Sequence, residues 1–565
     1  MRSALLKLLL MLSVGFTTLA GTKTWNNASG GNWGTASNWL ENAIPGSSDT
    51  VYITLSGDYT VTYNANYSGV KAIIIGGSSG IQTLYNPGNV LVDSSTITIN
   101  TNGVLWGIAG TYSAASVINY GTIRLTNGSF TFAPKIVNYD SVYVSSASIS
   151  ISGGLTNYGS VFVANGTLNV SGTDTAYAGK YLISSGATLN YSSGTHTLDA
   201  GSMISGSGNV TCNATVNMNG TYNITGTTTT SGGTLAFRGT SGTLINIGSN
   251  LSIGNGSLQV LTGDSLILGS GTLSGSSSTL LVNAPIRFTT SFTMNQGVLR
   301  ATDSTIKLLV GSGQTLTLNP TSTLRLQRVT IVNDGTIDWS GNTSNAVTGD
   351  SGLVINNYGL FECKSSTGFP QLSHFNGATS RVNNYGTFRR SSNANSFQVG
   401  MDFYSYSGSV VDIQTGVTSF ISALVTTDAD ITIASGATLQ LNGTSCTIDA
   451  NSSITGAGNV TTVTTGGTRT IQGTYNITGT TTASNGTLLF NGTAGTLLNI
   501  GSTLAMSGGS VQVLTGDSLI LGSATLNSTS STLLVKAPIR FTTSFTMNQG
   551  VLRATDSTIK LLIGS

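Results

Sequence analysis

The chain has 565 residues, only 7% of them charged, and its 22 Lys and Arg nearly balance its 20 Asp and Glu for a net charge of +2. Roughly a quarter of an ordinary soluble domain is charged, so the composition offers no basic stripe for nucleic acid and no cationic surface for an anionic membrane. Glycine (73 residues), Ser, Thr and Asn take the places of Lys and Glu, which suits stacked β structure with hydroxyl and amide faces.

Residues 1–20 have the pattern of a secretory signal peptide: Arg2 and Lys7, an apolar run over 8–16, then Thr18-Leu19-Ala20 at the cleavage position. Gly21 is the expected mature start, and a secreted or cell-surface location follows from it. The apolar run is too short to span a bilayer, so no membrane span is expected apart from the signal peptide.

Residues 21–64 hold Trp25, Trp33 and Trp39, followed by Pro45-Gly46. A stack of β coils exposes an apolar end and unpaired strand edges at its first turn. An N-terminal aromatic-rich cap is therefore expected here; the competing use of the three indoles is a glycan-binding platform. Trp25, the Gly30-Gly31-Asn32-Trp33 step, Asn38-Trp39, Ile44-Pro45 and Asp49 together resemble the opening of secreted bacterial β-strand-repeat proteins, a group that includes autotransporter-like passengers. The resemblance covers this segment closely and the rest only in texture. It implies an adhesin-like parallel β-helix surface protein and carries no catalytic residue to transfer.

Residues 65–180 contain the clearest repeat. Val117, Ile136 and Leu155 lie 19 apart, as do Asn119, Asn138 and Asn157, each followed by Tyr120, Tyr139 or Tyr158. The pairs Ile123/Leu125, Val142/Val144 and Val161/Val163 keep the same register, and so do Phe130/Phe132, Ile149/Ile151 and Leu168/Val170. Two period-2 runs per unit with tight turns between them describe short strands, and a fixed period near 20 residues describes stacking coils.

A second block, 181–312, has shorter Gly-rich spacing. Block 313–434 then returns to the corner motif, with Asn333, Asn357 and Asn384 spaced by 24 and 27, and 435–565 repeats the second block; residues 284–309 recur unchanged as 537–562. The last copy stops mid-pattern at Ser565, which makes a piece of a longer chain the expectation. The predicted fold is all-β, a right-handed parallel β-helix (β-solenoid) of about 25 coils; a string of β-sandwich domains is the alternative.

Few residues could carry chemistry. His196 in one copy corresponds to Cys446 in the other, and His374 stands alone, too few for a zinc site. Cys212, Cys363 and Cys446 are far apart and odd in number, hence buried thiols. Asp264/Asp517 and Asp303/Asp556 sit in turn contexts; Arg287/Arg540, Arg300/Arg553 and Lys307/Lys560 recur beside them. No catalytic set, metal site or cofactor is expected. The expected role is a non-enzymatic extracellular structural or adhesin-like repeat protein contacting glycans or like chains. The alternative is a carbohydrate-active enzyme, a polysaccharide lyase or hydrolase on a pectate-lyase-like β-helix. That enzyme would need several carboxylates and a basic residue together on one face.

Overall fold

A short unit that cannot bury its own apolar face gains strand partners above and below when it stacks. The computed structural model shows that arrangement: an all-β chain, 57% strand, forming a parallel β-solenoid of about 23 turns. It describes residues 21–563 except 93–95, 244, 263–265, 342–344, 366–367, 393–394, 464–465, 496–497 and 516–518. The predicted signal peptide at 1–20 and the predicted turn acids Asp264 and Asp517 lie outside the described residues. The chain forms two compact units, Met1–Gly226 and Thr227–Ser565.

In the first unit a turn contributes three strand segments, the second and third of which run on as one strand in Ser141–Ile151 and Ser160–Val170. Ser116–Asn119, Thr122–Thr126 and Ser129–Phe132 make one turn. Each pairs in parallel with its successor, so Val117, Ile136 and Leu155 align, as do Ile123, Val142 and Val161, and Phe130, Ile149 and Leu168. The triple register read from the sequence is therefore the stacking register. The sequence pattern showed two period-2 runs per unit, not three. The missed strand is the one ending in asparagine: Val117 and Asn119 are both buried, but only one of the two is apolar.

Those asparagines form an internal column. Asn119 Nδ2 donates to Asn138 Oδ1 at 2.6 Å, and Asn138 Nδ2 to Asn157 Oδ1 at 2.8 Å. Asn119 also donates to the Ser141 carbonyl at 2.9 Å and accepts from the Gly121 N–H at 3.2 Å. All three asparagines are fully buried; buried amides are tolerated because partners surround them. The glycine after the corner has a steric cause. A Cβ on Gly159 would lie 2.1 Å from the Asp140 carbonyl oxygen of the preceding turn.

Parallel pairing starts earlier than residue 65. Thr22–Thr24 pairs with Thr50–Ile53, and Gly31–Asn32 with Tyr59–Thr62. Thr22–Thr24 and Gly31–Asn32 are short and hold no aliphatic residue, whereas Thr50–Ile53 and Tyr59–Thr62 bury Val51/Ile53 and Tyr59/Val61 at period 2.

The second unit repeats the scheme. Asn333 donates to Asn357 at 2.7 Å, Asn357 to Asn384 at 2.8 Å, and Asn384 to the Ser405 hydroxyl at 3.1 Å. The duplicated residues show where burial comes from. In the first copy Thr315–Leu318 and Thr330–Asn333 pair on them, and Met294 and Leu308 are buried. Their counterparts Met547 and Leu561, which carry no such strands, are 51% and 44% exposed. Burial belongs to the stack, not to the coil. Among the described residues no helix is long and apolar enough to cross a membrane.

The inner column should outweigh the outer corner in stability. Asn138→Ala is expected to cost about 2–4 kcal/mol, since each buried amide group left unpaired costs roughly 1–3 kcal/mol. Tyr139→Ala removes exposed stacking of about 0.5–1.5 kcal/mol. Denaturant midpoints of the two variants check the order; a larger loss for Tyr139→Ala would contradict it.

Candidate functional site

Inward and outward residues alternate along every strand, so the repeat that fills the core also writes columns on the surface. At the corner after each asparagine, Tyr120, Tyr139, Tyr158 and Tyr177 stack with ring centroids 4.7, 4.8 and 4.9 Å apart and planes within 13° of parallel. Each is exposed. Tyr358, Tyr385 and Tyr406 form a similar stack in the second unit, at 4.7 and 4.5 Å. Beside the first stack lies a shallow groove of about 400 Å³ whose walls include Lys135, Tyr139, Tyr158 and Tyr177. A second groove, about 420 Å³, opens on the outer face of the next strands, over Thr122, Arg124, Ser141, Tyr143 and Phe162.

The sequence pointed elsewhere for glycan contact. Trp25, Trp33 and Trp39 are 1%, 0% and 2% exposed. Trp39 meets both other indoles edge-on, with centroids 5.0 Å away in each case, and Trp33 packs on Tyr63 at 5.2 Å. The Trp25 N–H donates to the Asn27 carbonyl at 2.7 Å and the Trp39 N–H to the Trp33 carbonyl at 2.8 Å. Stacking on a sugar needs an open ring face, and these three faces are closed by protein. The indoles are packing residues in this structure.

His196 also points inward. It occupies the same column as Val117, directly above Asp174, and its Nδ1 lies 2.6 Å from Asp174 Oδ1. Its Nε2 meets the Ser193 carbonyl at 3.0 Å, and Asp174 Oδ2 accepts the Leu155 N–H at 2.9 Å. In the second unit the aligned pair is Leu424 and Cys446, both apolar in behaviour. One copy fills the position with a buried polar pair, the other with hydrophobes, so the histidine is a filler of the core. His374 makes a 3.3 Å contact from Nδ1 to the Ser380 hydroxyl. All three cysteines are buried and unpaired. Burial pushes the Cys212 and Cys446 thiols up to about 12 and raises Cys363 as well, which keeps them protonated and unreactive.

The acids and bases singled out in the sequence do not converge. Asp303 accepts from the Thr305 N–H at 2.7 Å within its own turn, and its carboxyl is held below the ordinary value by hydrogen bonds from Thr305. Arg287, Arg300 and Lys307 are exposed and join none of the ion pairs found among the described residues. What does converge is a column that spacing alone concealed. Asp338, Glu362, Arg389 and Asp412 stand above one another on successive turns. Lys364 Nζ lies 3.4 Å from Asp338 Oδ2 and 3.2 Å from Glu362 Oε2, and Arg389 Nε lies 2.9 Å from Asp412 Oδ2. Burial by itself would raise the Glu362 carboxyl and lower the Lys364 amine. Hydrogen bonds from Ser391 and Lys364, with the Lys364 and Arg389 charges, more than offset it at Glu362, which ends below its ordinary value. The bond that Lys364 donates to Glu362, with the Asp338 and Glu362 charges, holds Lys364 above its own. Among the described residues no group of three His, Cys, Asp or Glu is placed to hold a metal ion.

The two copies supply their own exchange experiment at the buried pair. His196→Cys alone leaves Asp174 buried without its partner and is expected to cost about 3–5 kcal/mol. Asp174→Leu with His196→Cys installs the second copy's solution and should recover most of that loss. Thermal or denaturant unfolding of the two singles and the double gives the coupling directly; strictly additive losses would contradict it.

Compared with protein-family models, curated proteins and solved structures, the chain matches none.

Proposed function

We propose that this chain is an exported, non-enzymatic structural protein with an adhesin-like surface, a β-solenoid scaffold whose outer columns contact extracellular glycans. The observation that carries this reading is the surface repetition. Tyr120, Tyr139, Tyr158 and Tyr177 present the same side chain at the same corner turn after turn, beside grooves edged with hydroxyl groups. A ligand that suits a repeated surface is itself a repeat, and a linear polysaccharide is one. Weak contacts made many times over also give avidity without a deep pocket. Export rests on the charged and apolar pattern of residues 1–20. The resemblance of the opening segment to secreted β-strand-repeat proteins points the same way.

The enzyme alternative has one observation in its favour, the column of Asp338, Glu362, Arg389 and Asp412 with Lys364. A lyase needs an unprotonated base open to the substrate. Lys364 is instead held protonated by two carboxylates, and Arg389 is closed by Asp412. The column behaves as a surface ladder in which Lys364 bridges the aligned Asp338 and Glu362 and Arg389 pairs with Asp412 on the neighbouring strand.

Incubating the purified chain with a panel of acidic and neutral polysaccharides tests this reading. Retention of a polysaccharide with no new reducing ends and no unsaturated products is the expected result. Depolymerisation would overturn it, and Glu362→Gln and Arg389→Gln would then show whether the charged column is responsible.

A further inference from the structure

The strand that follows each tyrosine corner has one outward column that differs between the two units. In the second unit it is Asp338, Glu362, Arg389 and Asp412, with the arginine closed at 2.9 Å. In the first unit the same position runs Tyr85, Trp106, Arg124, Tyr143 and Phe162 on successive turns. Arg124 is exposed, and it joins none of the ion pairs found among the described residues. Its guanidinium carbon sits 5.0 Å from the Trp106 ring centroid. Trp106 is itself fixed by an N–H bond to the Thr126 hydroxyl at 2.9 Å and by Tyr85 at 4.7 Å. The walls of the 420 Å³ groove over this column contain no carboxylate. Where the tyrosine stack closes its ring faces on itself, Tyr143 and Phe162 stack on no other ring among the described residues.

An aromatic face beside a cation without a counter-ion is complementary to a flat, partly apolar ligand that carries negative charge. We propose that this stripe is a binding site for an acidic glycan, a chain whose sugars bear uronic-acid carboxylates. Sugar rings lie on Tyr143 and Phe162, their hydroxyls meet Thr122 and Ser141, and one carboxylate pairs with Arg124. The Ser141 hydroxyl donates to Asp140 Oδ1 at 3.1 Å and so offers its oxygen as acceptor. The planar guanidinium fork matches a carboxylate in two parallel hydrogen bonds, and Trp106 holds that fork in place before the ligand arrives. A single cation in the groove fits one carboxylate; a densely sulfated chain would call for a basic cluster, which the groove lacks. The inference rests on the glycan-contact part of the proposed function and gives it a place and a ligand class.

The test is calorimetric titration of the full chain with polygalacturonate and with its carboxyl-reduced, neutral counterpart, at low and high salt. The variants are Arg124→Gln, Phe162→Ser and, as a control away from the stripe, Lys71→Gln. All three are surface changes, and unchanged melting temperatures confirm intact folding. Arg124→Gln is expected to weaken polygalacturonate binding roughly tenfold or more, the loss of a charge-assisted pair, and to flatten its salt dependence while sparing the neutral polymer. Phe162→Ser is expected to weaken both polymers, and Lys71→Gln neither. Polygalacturonate binding that survives both stripe variants overturns the inference and leaves glycan contact standing at another face. Binding of neither polymer by the unaltered chain overturns the inference and, if it extends to the whole panel, glycan contact with it. Self-association lost in Phe162→Ser, without glycan binding, assigns the stripe to a second copy of the chain instead.

Discussion

The fold depends on a constraint that each coil places on the next: an inward group is stabilised by the group it meets one turn above or below. Aliphatic residues satisfy this by contact alone, whereas an amide satisfies it only in register. Asn119, Asn138 and Asn157 do so through amide-to-amide bonds of 2.6 and 2.8 Å, and Asn333, Asn357 and Asn384 do so through bonds of 2.7 and 2.8 Å. A slip of one residue would turn these amides outward and bring their outward neighbours in. A slip of two residues would keep aliphatic residues inward but set each amide against an aliphatic neighbour, so the polar column penalises the shift that a purely aliphatic column tolerates. The glycine after each corner belongs to the same constraint, because it lets one turn's backbone approach the next.

Much of this was legible in the sequence. The 19-residue spacing of Val117, Ile136 and Leu155 named the columns, and the structure keeps that register. What the pattern concealed has identifiable causes. The asparagine strand looked like a corner because its second inward residue is polar. The strands Thr22–Thr24 and Gly31–Asn32 were hidden because they are short and hold no aliphatic residue, with the buried tryptophans lying outside them. In this structure those three rings are enclosed by protein. The surface stripe was hidden differently: Arg124, Tyr143 and Phe162 are also 19 apart, but attention to inward positions passes over their outward neighbours. Asp338, Glu362, Arg389 and Asp412 could not be seen without the coil lengths, because their spacings of 24, 27 and 23 follow the turns of the solenoid.

The duplication separates scaffold from surface. Some inward positions change between the copies in matched ways, as when Asp174 and His196 give way to Leu424 and Cys446, although the next residue in that column changes from Val216 to a buried Arg469. Outward columns are free of that constraint, and one column carries paired charges in the second unit and open aromatics in the first. In a solenoid the functional variation is therefore expected on outward columns, where a substitution alters contact with a ligand without disturbing the ladder beneath it.

In-register stacking is the claim on which the rest stands, and pyrene labelling tests it most directly. The native thiols are buried and held protonated, so introduced surface cysteines can be labelled selectively. Ser141 and Ser160 are aligned outward residues on adjacent turns, about 4.8 Å apart at the usual strand spacing, whereas Ser150 lies on another side of the coil from Ser141. Ser141→Cys with Ser160→Cys should give strong excimer emission, and Ser141→Cys with Ser150→Cys should give monomer emission only. Excimer absent from the first pair, or equal in both, would contradict the stacked register.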